Sequence, residues 1–213
     1  MFEFIKKIPV TISIAIVTVF AFLVPSFSQW LALDMSVSLW AQIGNVFGCH
    51  LLHWSLDHLA WDLVMFVLIG ATCELRSPRS YLGVLVLSAI LIPFSVFHFV
   101  PVLDSYRGLS GIDTAIFVFA AALLIEESIQ RKDRSSLGVY TVMLIGLIGK
   151  TVFELMSGGT LFVESSGFTP VPVAHIAGAI AGALVVIGRR ASGIWGAKKP
   201  QAMAQEGQHR TSL

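Results

Sequence analysis

The chain has 213 residues, of which 55% are hydrophobic and only 13% are charged. Soluble domains carry about 25% charged residues, so this composition excludes an ordinary soluble protein and indicates a membrane protein. The formal net charge is only +1. The basic residues lie in short loops rather than along a groove, which excludes a nucleic-acid-binding protein.

The first apolar segment, residues 8–25, follows Lys6 and Lys7 and resembles the hydrophobic part of a signal peptide. It lacks a small-residue cleavage site, and Pro25 ends it. We therefore predict a retained first membrane helix. An external loop over 26–56 follows, and its tryptophans favour the membrane–water interface. We expect this loop to lie on or dip into the outer leaflet.

His58 and Asp62 lie four residues apart on one face of the second predicted span, 57–74. An ionisable group in a span costs about 2.5–3.5 kcal/mol on insertion scales, so each needs a reason. One interpretation is an intrahelical hydrogen bond, and another is a polar cluster in which His58 donates to a developing oxyanion. A third is a metal site with the nearby His50, His53 and Asp57. No second cluster of ligands accompanies them, and we predict no metal or other cofactor.

The fourth predicted span, 110–130, opens on the polar motif RGLSGID. Ser110 and Asp113 form an S-x-x-D pattern, so one interpretation is a capping box in which the serine caps the helix. The other interpretation makes Ser110 a nucleophile. Gly108 and Gly111 allow a tight turn and the close approach of another chain. The helix N-terminus also offers N–H groups that suit an oxyanion.

Lys150 and Glu154 lie four residues apart in the fifth predicted span, 138–156. We expect them to form an ion pair that removes most of the cost of burying either charge. We interpret this pair as structural. The loop that follows, 157–172, contains several glycines and prolines, and we expect it to be irregular.

His175 opens the sixth predicted span, 173–190, and has Gly178 and Gly182 on its own helical face. Small residues at this spacing let membrane helices pack closely. The fourth span carries a comparable stripe that includes Gly111 and Ala115. Close packing of the two helices would bring His175 within hydrogen-bond reach of Ser110. A neutral histidine could then take the serine proton and make a nucleophile of a weak hydroxyl.

The distribution of basic residues predicts the topology. All 14 lysines and arginines except Arg107 and Lys150 fall on one side if six spans are assumed. Positively charged loops stay in the cytoplasm, so both termini should be cytoplasmic. His58, Ser110 and His175 then start three parallel helices at the same outer depth. The six predicted spans are 8–25, 57–74, 80–100, 110–130, 138–156 and 173–190.

These segments predict an all-α membrane protein with one six-helix domain over residues 1–190. The polar segment 191–213 has no hydrophobic period, and we expect a disordered cytoplasmic tail. No internal repeat is visible, and the polar residues cluster in the outer half of the bundle. Both features weigh against a small transporter.

Three motifs, HWSLDHLAWDL, YRGLSGID and PVPVAHIAGAIAG, stand in this order on the second, fourth and sixth spans. Together they resemble the rhomboid intramembrane serine proteases over about residues 40–190. The resemblance implies that Ser110 is the nucleophile and His175 the general base. It further implies an oxyanion hole made by His58 and the backbone N–H groups of Leu109 and Ser110, supported by Gly108.

The chain departs from the usual rhomboid pattern in two places. Asp62 stands where most rhomboids carry asparagine, and Ala41 follows Trp40 where an arginine is common. A carboxylate can only accept hydrogen bonds, so we expect Asp62 to orient His58 or to stay neutral by burial.

The motifs HLAWD, YRGLSGID and LFVESSGFTPVPVAH, with Lys150 and Glu154, are similar to one specialised branch, the rhombosortases. This resemblance implies single-pass substrates that end in a Gly-Gly motif, a transmembrane helix and a basic cluster. It also implies the bacterial inner membrane, with the active site near the outer face. The alternatives are a general rhomboid protease with other single-pass substrates and an inactive rhomboid-like protein that only binds helices.

Overall fold

The structure, a computed structural model, describes residues 2–159 and 169–192, and in this part of the chain helices dominate. Two short 3-10 helices, Leu39–Gln42 and Cys49–Leu51, lie in the first long loop. The α-helices are α1 (Phe2–Ile5), α2 (Pro9–Leu23), α3 (Ser26–Leu31), α4 (Ile43–Gly48), α5 (Leu56–Arg76), α6 (Pro78–Phe99), α7 (Ser110–Arg131), α8 (Arg134–Ser157) and α9 (Pro172–Ala191).

The six long helices occupy the six predicted positions, and four of them, α5, α6, α8 and α9, are long and apolar enough to cross a membrane. The other two fall short for different reasons. Helix α2 has 15 residues, and a span needs about 20. Helix α7 has 22 residues but includes Asp113, Glu126 and Glu127. The all-helical membrane character is therefore confirmed, whereas the count of six spans stays a prediction.

Helix α7 is the centre of the bundle and packs against α5, α6, α8 and α9. Its residues Ile116 and Phe119 are fully buried in a core that also contains Phe66 of α5 and Tyr81 of α6. Most buried residues of α7 are apolar, as a central helix requires, although Asp113 is buried as well. This position makes α7 the element that fixes Ser110.

Helices α5, α7 and α9 run in the same direction, as their contacts at one end show. Arg76 near the end of α5 lies 3.1 Å from Glu127 near the end of α7. Arg189 near the end of α9 donates to Ser77 and Ser80 at the start of α6. We call this the basic end. The first residues of the three helices therefore lie together at the opposite end.

The first loop is folded rather than irregular, and it contains a strand that the all-α prediction missed. Strand β1 (Leu33–Asp34) pairs antiparallel with β2 (Ser105–Tyr106), with Leu33 opposite Tyr106. The Gln42 amide donates to two backbone carbonyls of the loop at 2.6 and 2.7 Å. The pairing anchors the segment just before Ser110. Trp40 is 89% exposed, and its interfacial position stays a prediction.

Two predicted segments cannot be compared with the structure in full. Most of the loop 157–172 and nearly all of the tail 191–213 lie outside the described residues. Their predicted irregularity and disorder stay predictions.

Candidate active site

Ser110 is the first residue of α7, and Leu109 holds the cap position. The capping interpretation is therefore wrong, because an N-cap side chain must precede the helix and bond to an N–H of its first turn. The Asp113 side chain makes no hydrogen bond to Ser110, and its buried Oδ1 has no partner among the described residues. Within the described part of the chain the Ser110 hydroxyl makes no hydrogen bond, so the helix does not use it.

Gly108 has φ of +127°, a conformation that side chains rarely adopt. A Cβ at this position would also lie 3.2 Å from the His58 ring. The Gly108 N–H donates to the Cys49 carbonyl at 3.1 Å, so the first loop holds the backbone of the GLSG turn. The glycine thus allows both the turn and the close approach of His58 to the start of α7.

His50 also contacts the backbone of this turn. Its Nε2 lies 3.2 Å from the Ala89 carbonyl and its Nδ1 lies 3.4 Å from the Gly108 carbonyl. Burial lowers the pKa of His50 to about 4, so the ring is neutral near pH 7. A neutral ring carries one N–H and donates to one of these carbonyls. His50 is therefore a scaffold residue and not a ligand in a cluster with His58.

Glycines bring α7 and α9 into backbone contact. A Cβ at Gly178 would overlap the Gly111 carbonyl, and a Cβ at Gly182 would overlap the Ala115 carbonyl. A Cβ at Gly111 would lie 3.0 Å from the Ala174 carbonyl. Such contact is possible only with small residues at the crossing. The contact between Gly111 and Ala174 lies next to the site, because Gly111 follows Ser110 and Ala174 precedes His175.

Ser110 and His175 line the same cavity, which has a volume of about 530 Å³. No hydrogen bond joins the two side chains in the described structure. The wall of the cavity comes from α5, α7, α8 and α9 and is mostly apolar. Its polar lining consists of His58, Asp62, Tyr106, Arg107, Ser110, Asp113, Thr114, Lys150, Glu154 and His175.

His175 Nδ1 lies 2.9 Å from Oε2 of Glu154, a contact that was not predicted from the sequence. The predicted pair is also present, with Lys150 Nζ 2.7 Å from Oε1 of the same carboxylate. The Glu154 side chain is 2% exposed. The predicted ion pair is therefore present, and the second oxygen of Glu154 also contacts His175, which lines the same cavity as Ser110.

The predicted cluster around His58 has a different membership from the one expected. His53 Nε2 hydrogen-bonds to Oδ2 of Asp62 at 3.1 Å, and His58 Nε2 approaches the same oxygen at 3.3 Å. His50 and Asp57 are not part of it. Asp62 is thus an acceptor placed between two imidazoles, as expected for a residue that orients His58.

The ligand atoms of His53, His58 and Asp62 lie within 4.8 Å of one another, so a metal site must be considered. Histidine ligands of metals almost always donate their second ring N–H to an acceptor. The buried Nδ1 of His53 has no partner among the described residues. A ring that donates through Nε2 leaves only a lone pair there, which is less costly than an unpaired N–H. Hydrogen bonding therefore accounts for the cluster better than a metal does.

A second cavity, of about 310 Å³, lies between α5, α7 and α8. It shares Met65, Phe117 and Met143 with the first cavity. The two cavities therefore share a wall formed by α5, α7 and α8.

The family model of the Rhomboid domain matches residues 40–191 of the chain. The match covers α5 to α9 and all the residues that line the first cavity. No curated protein matches the chain.

Proposed function

Because the chain belongs to the Rhomboid family, which is known for intramembrane serine proteases, we propose that it cleaves membrane proteins with Ser110 as nucleophile and His175 as general base. One observation carries this assignment. The unused hydroxyl of Ser110 and a histidine held through its Nδ1 line one cavity that opens between membrane helices. A nucleophile and a base held by a third group is the arrangement that activates a serine.

In the proposed reaction, Ser110 Oγ attacks the carbonyl carbon of the substrate, and its proton passes to Nε2 of His175. Catalytic hydrogen bonds are often long in free enzymes, so the bond between these residues would form as substrate binds. His175 then gives the proton to the leaving amine, and an ester on Ser110 remains. A water molecule hydrolyses this ester and regenerates the hydroxyl; an external amine in its place would transfer the product.

The developing oxyanion would lie at the start of α7. The first N–H groups of a helix have no partner within it, so those of Leu109 and Ser110 are suitable donors. His58 packs against Gly108 at this point, and its Nε2–H would be shared between Asp62 and the oxyanion. Asp62, which lies 3.3 Å from Nε2 of His58, would keep the ring in position.

We expect single-pass membrane proteins as substrates, entering from the lipid bilayer between α5 and α8, where the two cavities share lining residues. A transmembrane helix has no free carbonyl because its backbone is bonded internally. A Gly-rich segment unwinds readily, since glycine is a poor helix former. The rhombosortase-like motifs favour a C-terminal Gly-Gly, transmembrane helix and basic cluster as the substrate signal.

The proposed location is a bacterial inner membrane, with both termini in the cytoplasm. The basic end of the bundle would face the cytoplasm under the positive-inside rule. The cavity lies at the opposite end, near the outer face, where water can reach it. Arg107 lines the cavity with its guanidinium 4.0 Å from the Trp54 ring.

Labelling with a fluorophosphonate probe tests the assignment of the nucleophile and the base. The purified protein in detergent should be labelled on Ser110, as located by mass spectrometry, and Ser110→Ala and His175→Ala should abolish labelling. Labelling that survives in folded Ser110→Ala protein would contradict the proposal. So would a folded wild-type protein that is not labelled, because the chain would then only bind helices.

A further inference from the structure

We propose that Glu154 is a positioning residue that completes a Ser110–His175–Glu154 triad, with Lys150 fixing the carboxylate. This inference rests on the proposed function. Glu154 and His175 are 21 positions apart in sequence. They meet because the end of α8 lies close in space to the start of α9. Glu154 lies in the last turn of α8, and His175 lies in the first turn of α9.

The carboxylate selects one tautomer of His175. An ionised carboxylate accepts but cannot donate, so the Nδ1 atom 2.9 Å from Oε2 must carry hydrogen. A neutral imidazole has one N–H, and the Nε2 atom is then left with a lone pair. That lone pair is what a general base needs to take the proton of Ser110. Without Glu154 the ring would be free to adopt either tautomer.

Lys150 fixes the orientation of the Glu154 carboxylate that selects the His175 tautomer. Its ammonium donates to Oε1 at 2.7 Å, so each oxygen of Glu154 has its own donor and the carboxylate cannot rotate. The ion pair also keeps Glu154 ionised although its side chain is 2% exposed. Charge neutralisation alone would need only Lys150. The contact with His175 therefore requires a reason, and the orientation of the base supplies one.

The same carboxylate would stabilise the reaction once the proton moves. When His175 accepts the proton of Ser110 it becomes an imidazolium, and the adjacent negative charge offsets the new positive charge. A fixed charge that is already in place costs no reorganisation at that moment. Glu154 acts through His175 and touches neither substrate nor serine.

The substitution Glu154→Gln should reverse the tautomer. The amide oxygen should remain with the Lys150 ammonium, which can only donate, and the amide N–H₂ should then face Nδ1. His175 would accept at Nδ1 and carry its hydrogen on Nε2, where it cannot act as a base. The comparable substitution in serine proteases lowers kcat about 10⁴-fold. We expect kcat and the rate of fluorophosphonate labelling to fall at least about 100-fold here, with KM little changed.

A second substitution separates this role from a structural one. In Glu154→Gln with Lys150→Met, nothing holds the amide oxygen, so it can turn to Nδ1 and restore the correct tautomer. We expect labelling to recover at least about tenfold over Glu154→Gln alone. A matched control is Glu127→Gln, which removes a carboxylate from the ion pair with Arg76 at the basic end and should leave the labelling rate unchanged. No recovery in the double variant, or an undiminished rate in Glu154→Gln, would overturn the inference.

Nitrogen-15 NMR of histidine-labelled protein reads the tautomer directly, with the His175 signal assigned by its loss in His175→Gln. We expect hydrogen on Nδ1 in the wild type and on Nε2 in Glu154→Gln. The same tautomer in both proteins would also overturn the inference. This measurement does not depend on activity. If the wild type is not labelled by the probe, the proposed protease function fails, while the tautomer still decides the role of Glu154.

Discussion

Leu109 occupies the cap position of α7, and this offset of one residue determines what Ser110 can do. The hydroxyl oxygen of a capping serine accepts a hydrogen bond from an N–H group in the first turn of the helix. Ser110 is the first helical residue instead; its backbone carbonyl accepts from Thr114 Oγ1 at 3.0 Å, and the residue lines the cavity. The residue is thereby fixed through its backbone, and its side chain is left for chemistry.

Replacing Ser110 by alanine should therefore leave stability almost unchanged. The hydroxyl makes no hydrogen bond with the described residues, so its removal leaves no partner unsatisfied. Ser55 offers a matched control, because its Oγ caps α5 by accepting from the N–H of His58 at 3.1 Å. Ser55→Ala should cost about 0.5–2 kcal/mol. Thermal unfolding in detergent measures both, and a Ser110→Ala protein as destabilised as Ser55→Ala would contradict the geometry.

Asp62→Asn should preserve the fold and much of the activity. The asparagine Oδ1 can still accept from His53, so one oriented contact near His58 persists. We expect a loss within about tenfold, equivalent to about 1.4 kcal/mol in the transition state. The labelling rate is the measurement, and a thermal melt is the control for folding. Complete loss of labelling in a folded variant would show that Asp62 does more than orient His58.

The residues that open α5, α7 and α9 were predictable from the sequence, whereas the contact of Glu154 with His175 was not predicted. His58, Ser110 and His175 could be placed at one depth because helix direction and charge bias are readable from sequence. Glu154 was assigned to Lys150 because an i, i+4 partner already explained its burial. The overlooked signal is that a single ammonium needs only one oxygen. The end of α8 lies close in space to the start of α9, so the second carboxylate oxygen of Glu154 reaches His175.

At the scale of elements, the contact between α7 and α9 determines the spacing of the site. Backbone approaches backbone at Gly111 and Gly178, and again at Ala115 and Gly182. Small side chains give no interlocking surface, so this pair of helices gains stability from close dispersion contact along its length. The stripe was readable in the sequence because its spacing follows the helical period.

Gly182→Leu should force these helices apart. Even a Cβ at this position would overlap the Ala115 carbonyl, which cannot move without the helix. We expect a loss of stability of at least about 1–3 kcal/mol, the usual effect of overpacking, and loss of labelling. Gly188→Leu on the same helix is the control, since a Cβ there has open space. Unchanged activity in Gly182→Leu would contradict the close-packing account.

Helix positions were more predictable than the connections between them. Long apolar segments with charged flanks located all six long helices to within a few residues. The two-residue strands β1 and β2 were not predictable, because each is too short to show a period and they pair across about 70 residues. The pairing matters for the site, since β2 leads directly into Arg107 and Gly108.

At the scale of the whole molecule, the predicted catalytic residues share one end of a largely apolar bundle. The cavity with Ser110 and His175 lies at that end, and the arginines that link α5, α6, α7 and α9 lie at the other. The second cavity, between α5, α7 and α8, shares three lining residues with the first, and we propose it as the approach of a substrate helix. A protease for membrane helices needs this combination of a polar site and an apolar approach.

Cleavage of a reconstituted substrate tests this account most directly. The protein would be placed in liposomes with a single-pass protein that carries Gly-Gly before its transmembrane helix, and mass spectrometry would identify the new termini. We predict one cut beside the glycines, abolished by Ser110→Ala and strongly reduced when Leu-Leu replaces Gly-Gly. Cleavage that persists in folded Ser110→Ala protein, or a substrate left uncut by wild-type protein, would contradict the central claim.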